Sequence, residues 1–138
     1  MNFSKTTAYA LTALNYMAGN EMEVISAMML HKKLGIPWPY LRKILNNLVK
    51  RGLITSRRGR QGGFLLAKKA DAIFIAEIID AVEGLDTLSN CIMGFEKCPF
   101  DHKCALHGLW EDTRKNILDV MNNTSLGYFK SKKQRTTN

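Results

Sequence analysis

Acidic side chains are almost missing from the first half of this 138-residue chain. Residues 1–70 hold only Glu21 and Glu23 against twelve Lys and Arg, a net of +10. That imbalance points to a polyanion partner, with nucleic acid first. Residues 71–104 reverse it to −5, and residues 105–138 return to +3, so the positive field belongs to the N-terminal half. Long apolar runs are also missing. None approaches the roughly 20 residues of a bilayer span, so no membrane partner is expected. The opening MNFSKTTAYALTALNYMAG lacks a basic n-region and reads as a helix, not a signal peptide. Cysteine is scarce and confined: three residues, all inside CIMGFEKCPFDHKCALH at 91–107. An odd number without a sign of export excludes a disulfide scaffold and fits a reducing cytoplasm. No paired carboxylates in a recognisable motif, no nucleophile motif and no phosphate loop are present, so an enzyme is not expected. Internal repeats are absent. A hydrophobic fraction of 46% suffices for a real core, and the length suits one small domain plus an oligomerisation element.

What is there begins with helical periodicity. Tyr9, Ala10, Ala13, Leu14 and Met17 predict an amphipathic helix over 5–18, ended by Gly19 and Asn20. Ser26 is a plausible N-cap for a second helix that stops at Gly35. In IPWPYLRKILNNLVKRG, Pro37 and Pro39 suit a helix start, and Leu41, Ile44, Leu45 and Leu48 make one apolar face. The period then changes. LITSR and GFLLA bracket RGRQGG, which predicts a β-hairpin with an arginine-bearing tip. A helix returns over 72–83. The cysteine stretch is a loop, because Gly94 and Pro99 interrupt it. A long helix then runs from about Cys104 to about Asn122, with the stripe Leu106, Leu109, Trp110, Thr113, Ile117, Val120 and Met121.

Helix, helix, helix, hairpin is the order of a winged helix-turn-helix, so the fold class is mainly α. The third helix suits a major groove, where Arg and Lys donate to guanine and Asn pairs with adenine. Its candidates are Trp38, Pro39, Tyr40, Arg42, Lys43 and Asn46. Arg57, Arg58 and Arg60 at the wing suit a narrow, electronegative minor groove. Double-stranded DNA is the partner this constellation implies.

The cysteine loop has the spacing Cys91-x6-Cys98-x5-Cys104-x2-His107. Thiolates are soft ligands for iron–sulfur clusters and zinc. Cys104 and His107, three apart at a helix start, can point to one side. Three Cys and one His then make four ligands, with His102 a rival to His107. A structural zinc site normally uses tighter Cys pairs than these. Zinc, a thiol switch, and an iron–sulfur carrier without a DNA role remain the alternative readings.

The sequence resembles the Rrf-type winged-helix transcription regulators, the family of IscR, NsrR, RirA and CymR. SKTTAYAL, IPWPYLRKILNNLVKRGLI, TSRRGRQGGFLLA, IAEIIDAVEG and CALHGLW match its parts in order, over about residues 2–125. The resemblance implies a bacterial, cytoplasmic homodimer acting as a repressor on a pseudo-palindromic operator. Its signal would be iron–sulfur status, redox state or nitric oxide. The implied divisions are a DNA-binding domain at 1–84, a cluster loop at 85–103, a dimerisation helix at 104–125 and a basic flexible tail at 126–138. The apolar stripe of the long helix would be the dimer interface. Arg58 would enter the minor groove, and Pro39, Tyr40, Arg42 and Lys43 would face the major groove or its phosphates. The ligand pattern is closest to IscR, where three Cys and one His hold a 2Fe–2S cluster. NsrR-like members can hold 4Fe–4S with an N-terminal Asp, but the matching position here is Ala8, and Thr7 is a poor substitute. Two departures stand out. The first cysteine gap is six, where IscR-like members have five, and Arg42-Lys43 replaces an acidic–amide pair.

Overall fold

The apolar spacing of the N-terminal segment winds Lys5–Ala18 into helix α1, with Ala10, Ala13, Leu14 and Met17 buried. The structure is a computed structural model and describes residues 3–88 and 91–129. Ser4 caps α1, its hydroxyl accepting from the Thr7 N–H at 3.3 Å. Ser26 does the same for α2 (Ala27–Leu34), accepting from the Met29 N–H at 3.1 Å. Gly35, at φ 66°, ends α2 in the left-handed conformation that glycine adopts without a Cβ clash. Three residues later α3 (Trp38–Lys50) begins, with Pro39 in its first turn, where a missing N–H leaves nothing unpaired. Leu41, Ile44, Leu45 and Leu48 are buried, as their spacing predicts.

Strands β1 (Ile54–Arg57) and β2 (Gly63–Leu66) pair antiparallel, Ile54 opposite Leu66 and Arg57 opposite Gly63. The free edge of β2 is fastened to the link between α1 and α2. The Ile25 N–H donates to the Phe64 carbonyl at 2.9 Å, and the Phe64 N–H returns the bond at 2.8 Å. Gly63 allows this approach: a Cβ there would stand 2.5 Å from the Ile25 carbonyl oxygen.

The helix expected from residue 72 starts later, as α4 (Ile75–Val82), after a short 3₁₀ turn at Ala70–Ala72. Ile73 and Phe74 are held extended because they pair with the returning chain. The Leu126 N–H donates to the Ile73 carbonyl at 2.9 Å, the Ile75 N–H to the Thr124 carbonyl at 2.9 Å, and Phe74 bridges Ser125. Glu77 caps α4 by accepting from the Phe74 N–H at 3.0 Å and pairs with Lys68 at 3.1 Å. Partial burial alone would raise its carboxyl pKa. The Phe74 N–H and Lys68 outweigh that and hold it below the ordinary carboxylate value.

Helix α5 (Ala105–Asn123) is the longest, and none of its residues is buried. The sequence reading assigns a flexible tail from residue 126. The structure differs: Leu126 is buried in the core, and residues 126–129 form a helical turn. Apolar Leu126 drives that return. Residues 130–138 lie outside the described residues. One core joins α1, α3 and α4 with Leu30, Ile25, Ile54 and Leu126. Fully buried Thr7 donates its hydroxyl to Glu83 Oε2 at 2.6 Å, and the Ser4 N–H approaches the same carboxylate at 3.3 Å. This ties the start of α1 to the end of α4, just before the chain leaves for the cysteine loop. Among the described residues no helix is long and apolar enough to cross a membrane.

Candidate DNA-reading face and cysteine hollow

Helix α3 divides its residues by face. The leucine and isoleucine face is buried, which leaves Pro39, Tyr40, Arg42, Lys43 and Asn46 exposed. Tyr40 rests edge-on against Tyr9 of α1, ring centroids 5.3 Å apart, so its direction is fixed. Trp38 behaves differently from the other candidates. It is half-buried against the core and stacks on His31 at 4.9 Å. The His31 Nδ1–H donates to the Ile36 carbonyl at 2.7 Å. Trp38 therefore braces the turn between α2 and α3, because its large apolar ring finds more contact there than in water. On the wing, Arg57, Arg58 and Arg60 are all exposed. Gly59 (φ 114°) turns the chain between them, and a Cβ on Gly62 would collide with the Arg57 carbonyl. Packing thus leaves the cations on the surface and fixes the backbone that carries them.

The second site is a hollow of about 170 Å³ between the loop and the start of α5. Cys91, Cys98, Cys104, His102, His107 and Arg114 all line it. Gly94 (φ 83°) turns the loop, its N–H donating to the Cys91 carbonyl at 2.8 Å. Asp101 and His102 have φ of 52° and 61°, the only non-glycine residues with positive φ among those described. This left-handed pair costs about 1 kcal/mol or more per residue. It aims the His102 N–H at Cys98 Sγ, 3.3 Å away. An N–H directed at sulfur suits a metal-bound sulfur. Cys104 is the N-cap residue of α5 and makes no side-chain cap bond. The His107 ring lies 4.8 Å from that of His102, and its Nε2 is 3.7 Å from Glu111 Oε1.

The four sequence-predicted ligands therefore share one hollow. Among the described residues, though, no three such side chains are drawn together around a single point where one ion would sit. Thiols with an imidazole are a donor set that an iron–sulfur group takes. Arg114 Nε is buried and finds no hydrogen-bond partner among the described residues. An unpaired buried donor costs about 1–3 kcal/mol, and its side chain lines the hollow.

The sequence reading missed Arg114, Glu111, and the bond of Thr7 to Glu83. Arg114 was legible in principle: it stands two helical turns beyond His107, hence on the same side of α5. Thr7 to Glu83 spans the domain and leaves no local pattern. Along α5, Leu106, Leu109, Thr113 and Val120 are exposed, while Trp110 and Ile117 are half-buried. Met121 is also half-buried. It leans on the protein's own core, because the returning chain brings the end of α5 back to the body.

A basic helix-turn-helix with an arginine-tipped wing, followed by a thiol-lined hollow, defines a DNA-binding transcription regulator and not an enzyme. The comparisons with known proteins agree. The chain belongs to the Rrf2 family, described as iron-dependent transcriptional regulators, which it matches over residues 3–131. It is 35% identical over 127 residues to the HTH-type transcriptional regulator IscR of Erwinia tasmaniensis, covering 91% of this chain and 76% of that one. Among solved structures it is similar to T. potens IscR, with a TM-score of 0.79 and 25% identity over 99% of this chain and 90% of that one. It is equally similar in shape to CymR, the global cysteine regulator of B. subtilis, with a TM-score of 0.79 and 26% identity over 95% and 97% of the two chains.

Proposed function

We propose that this protein is a homodimeric repressor whose operator affinity depends on an iron–sulfur cluster held by Cys91, Cys98, Cys104 and His107. A 2Fe–2S cluster is favoured and 4Fe–4S is the alternative nuclearity. The observation that carries this reading is the one hollow that Cys91, Cys98, Cys104, His107 and Arg114 all line. When bound, the group would supply one-electron redox chemistry and iron that reacts with nitric oxide. The protein's own residues supply the rest. Cys104 and His107 sit at the start of α5, and Cys91 and Cys98 on the loop, so filling the site ties loop to helix. Helix α5 presents Leu106, Leu109 and Val120 to a second copy. Its position then sets the distance between two copies of α3, which must match two half-sites on DNA. Pro39, Tyr40, Arg42, Lys43 and Asn46 address the major groove, and Arg57, Arg58 and Arg60 the backbone and minor groove. DNA and cluster must then alter each other's binding by the same coupling energy.

The test compares reconstituted protein with a Cys91/Cys98/Cys104→Ala variant on an operator selected from random duplexes. Tighter binding by the loaded protein supports the reading, and equal binding overturns it. Similarity to CymR favours one other reading, a regulator that uses these thiols as a zinc site or redox switch. The carrier reading without a DNA role is set aside, because the chain belongs to a family of transcription regulators.

A further inference from the structure

Arg114 lines the same hollow as the three thiols, two turns along α5 from His107. Its side chain is 24% exposed, and its Nε is buried with no partner among the described residues. Its Nη2 stands 4.0 Å from Glu111 Oε1, too long for a hydrogen bond. Glu111 in turn lies 3.7 Å from His107 Nε2. An arginine on an exposed helix ordinarily extends its head into water. This one keeps its Nε inside and unpartnered, with its charge only loosely matched.

We infer that Arg114 is a cluster-contacting residue: its Nε–H donates to sulfur of the bound group, and its charge favours the reduced form. The inference rests on the iron–sulfur reading above. The step concerned is a one-electron reduction by an external low-potential donor. No bond forms or breaks, and the added negative charge stays on the iron–sulfur group and its thiolates. A fixed cation and an N–H donor both stabilise the more negative state. Glu111 acts in the opposite direction. Its carboxylate, 3.7 Å from His107 Nε2, repels the added electron. The two residues thus set the reduction potential against each other from one face of α5.

The experiment is an anaerobic dithionite titration of the reconstituted full chain, followed by absorption and electron paramagnetic resonance. Wild type is compared with Arg114→Lys, Arg114→Met and Glu111→Gln at matched iron and sulfide content. At the wild-type midpoint, Arg114→Met should raise the oxidised-to-reduced ratio about tenfold, equal to about 59 mV for one electron. Arg114→Lys should fall between, since it keeps the charge and loses the Nε geometry; it carries the test should the methionine variant fail to load. Glu111→Gln should shift the midpoint the other way. Unchanged midpoints in loaded variants overturn the role of Arg114 and leave the functional reading standing. A wild type that loads no cluster overturns both.

Discussion

Replacing Leu109 by Ala probes what the long helix is for. Leu109 is 67% exposed on α5, and no residue of that helix is buried in the monomer. Fully burying a leucine side chain stabilises by about 1.5–3 kcal/mol. Covering the exposed two-thirds is therefore worth about 1–2 kcal/mol per copy, and a two-fold dimer counts it twice. The substitution should weaken the dimer by about 2–4 kcal/mol, or about 30- to 1,000-fold in its dissociation constant. Sedimentation equilibrium over a range of concentrations reads this directly. The thermal transition of the isolated subunit should hardly move, since Leu109 supports nothing in its own core. A variant with the wild-type dissociation constant, or a wild type that is monomeric throughout, refutes the dimer argument.

Further outcomes follow from other contacts. Gly63→Ala drives a Cβ into the backbone of Ile25 and Ser26, which cannot step aside, and should cost about 1–3 kcal/mol in denaturant unfolding. Glu77 has a lowered carboxyl pKa in the folded state, so its stabilisation is present above the ordinary carboxylate range and is lost as pH falls through the lowered value. Melting Glu77→Gln beside wild type should show a gap at neutral pH that closes in acid; a gap that widens in acid contradicts the assignment. Lys43→Ala should reduce the slope of log affinity against log salt by about 0.9 per lost phosphate contact, hence about 1.8 for a dimer. An unchanged slope would remove Lys43 from phosphate contact and leave it, if anything, a base reader.

The sequence made the helices and the hairpin legible because each obeys a local rule. The cap Ser26, the leucine face of α3 and the turn at Gly35 all declare themselves within a few residues. The late start of α4 was not legible, since Ile73 and Phe74 are held extended by Ser125 and Leu126, some fifty residues away. The same pairing hides Met121 and Leu126 from a local reading, which sees a helix end and a basic tail. At the thiol site the ligand types and spacing stood out. The left-handed pair Asp101–His102 did not, because neither is glycine and only the geometry of the loop shows that the His102 N–H reaches Cys98. Trp38 shows the limit on the DNA side. Its place at the start of α3 suggests a reader, and no local pattern shows that its ring also stacks on His31.

The central claim is that the hollow holds an iron–sulfur group on which DNA binding depends. Its most direct test is the anaerobic absorption spectrum of the purified protein, with iron, sulfide and zinc counted per protomer. The purified protein should be coloured, with visible sulfur-to-iron charge-transfer bands and matching iron and sulfide, about two of each for the favoured cluster. The Cys91/Cys98/Cys104→Ala variant should be colourless. A colourless wild type carrying one zinc per protomer would contradict the claim.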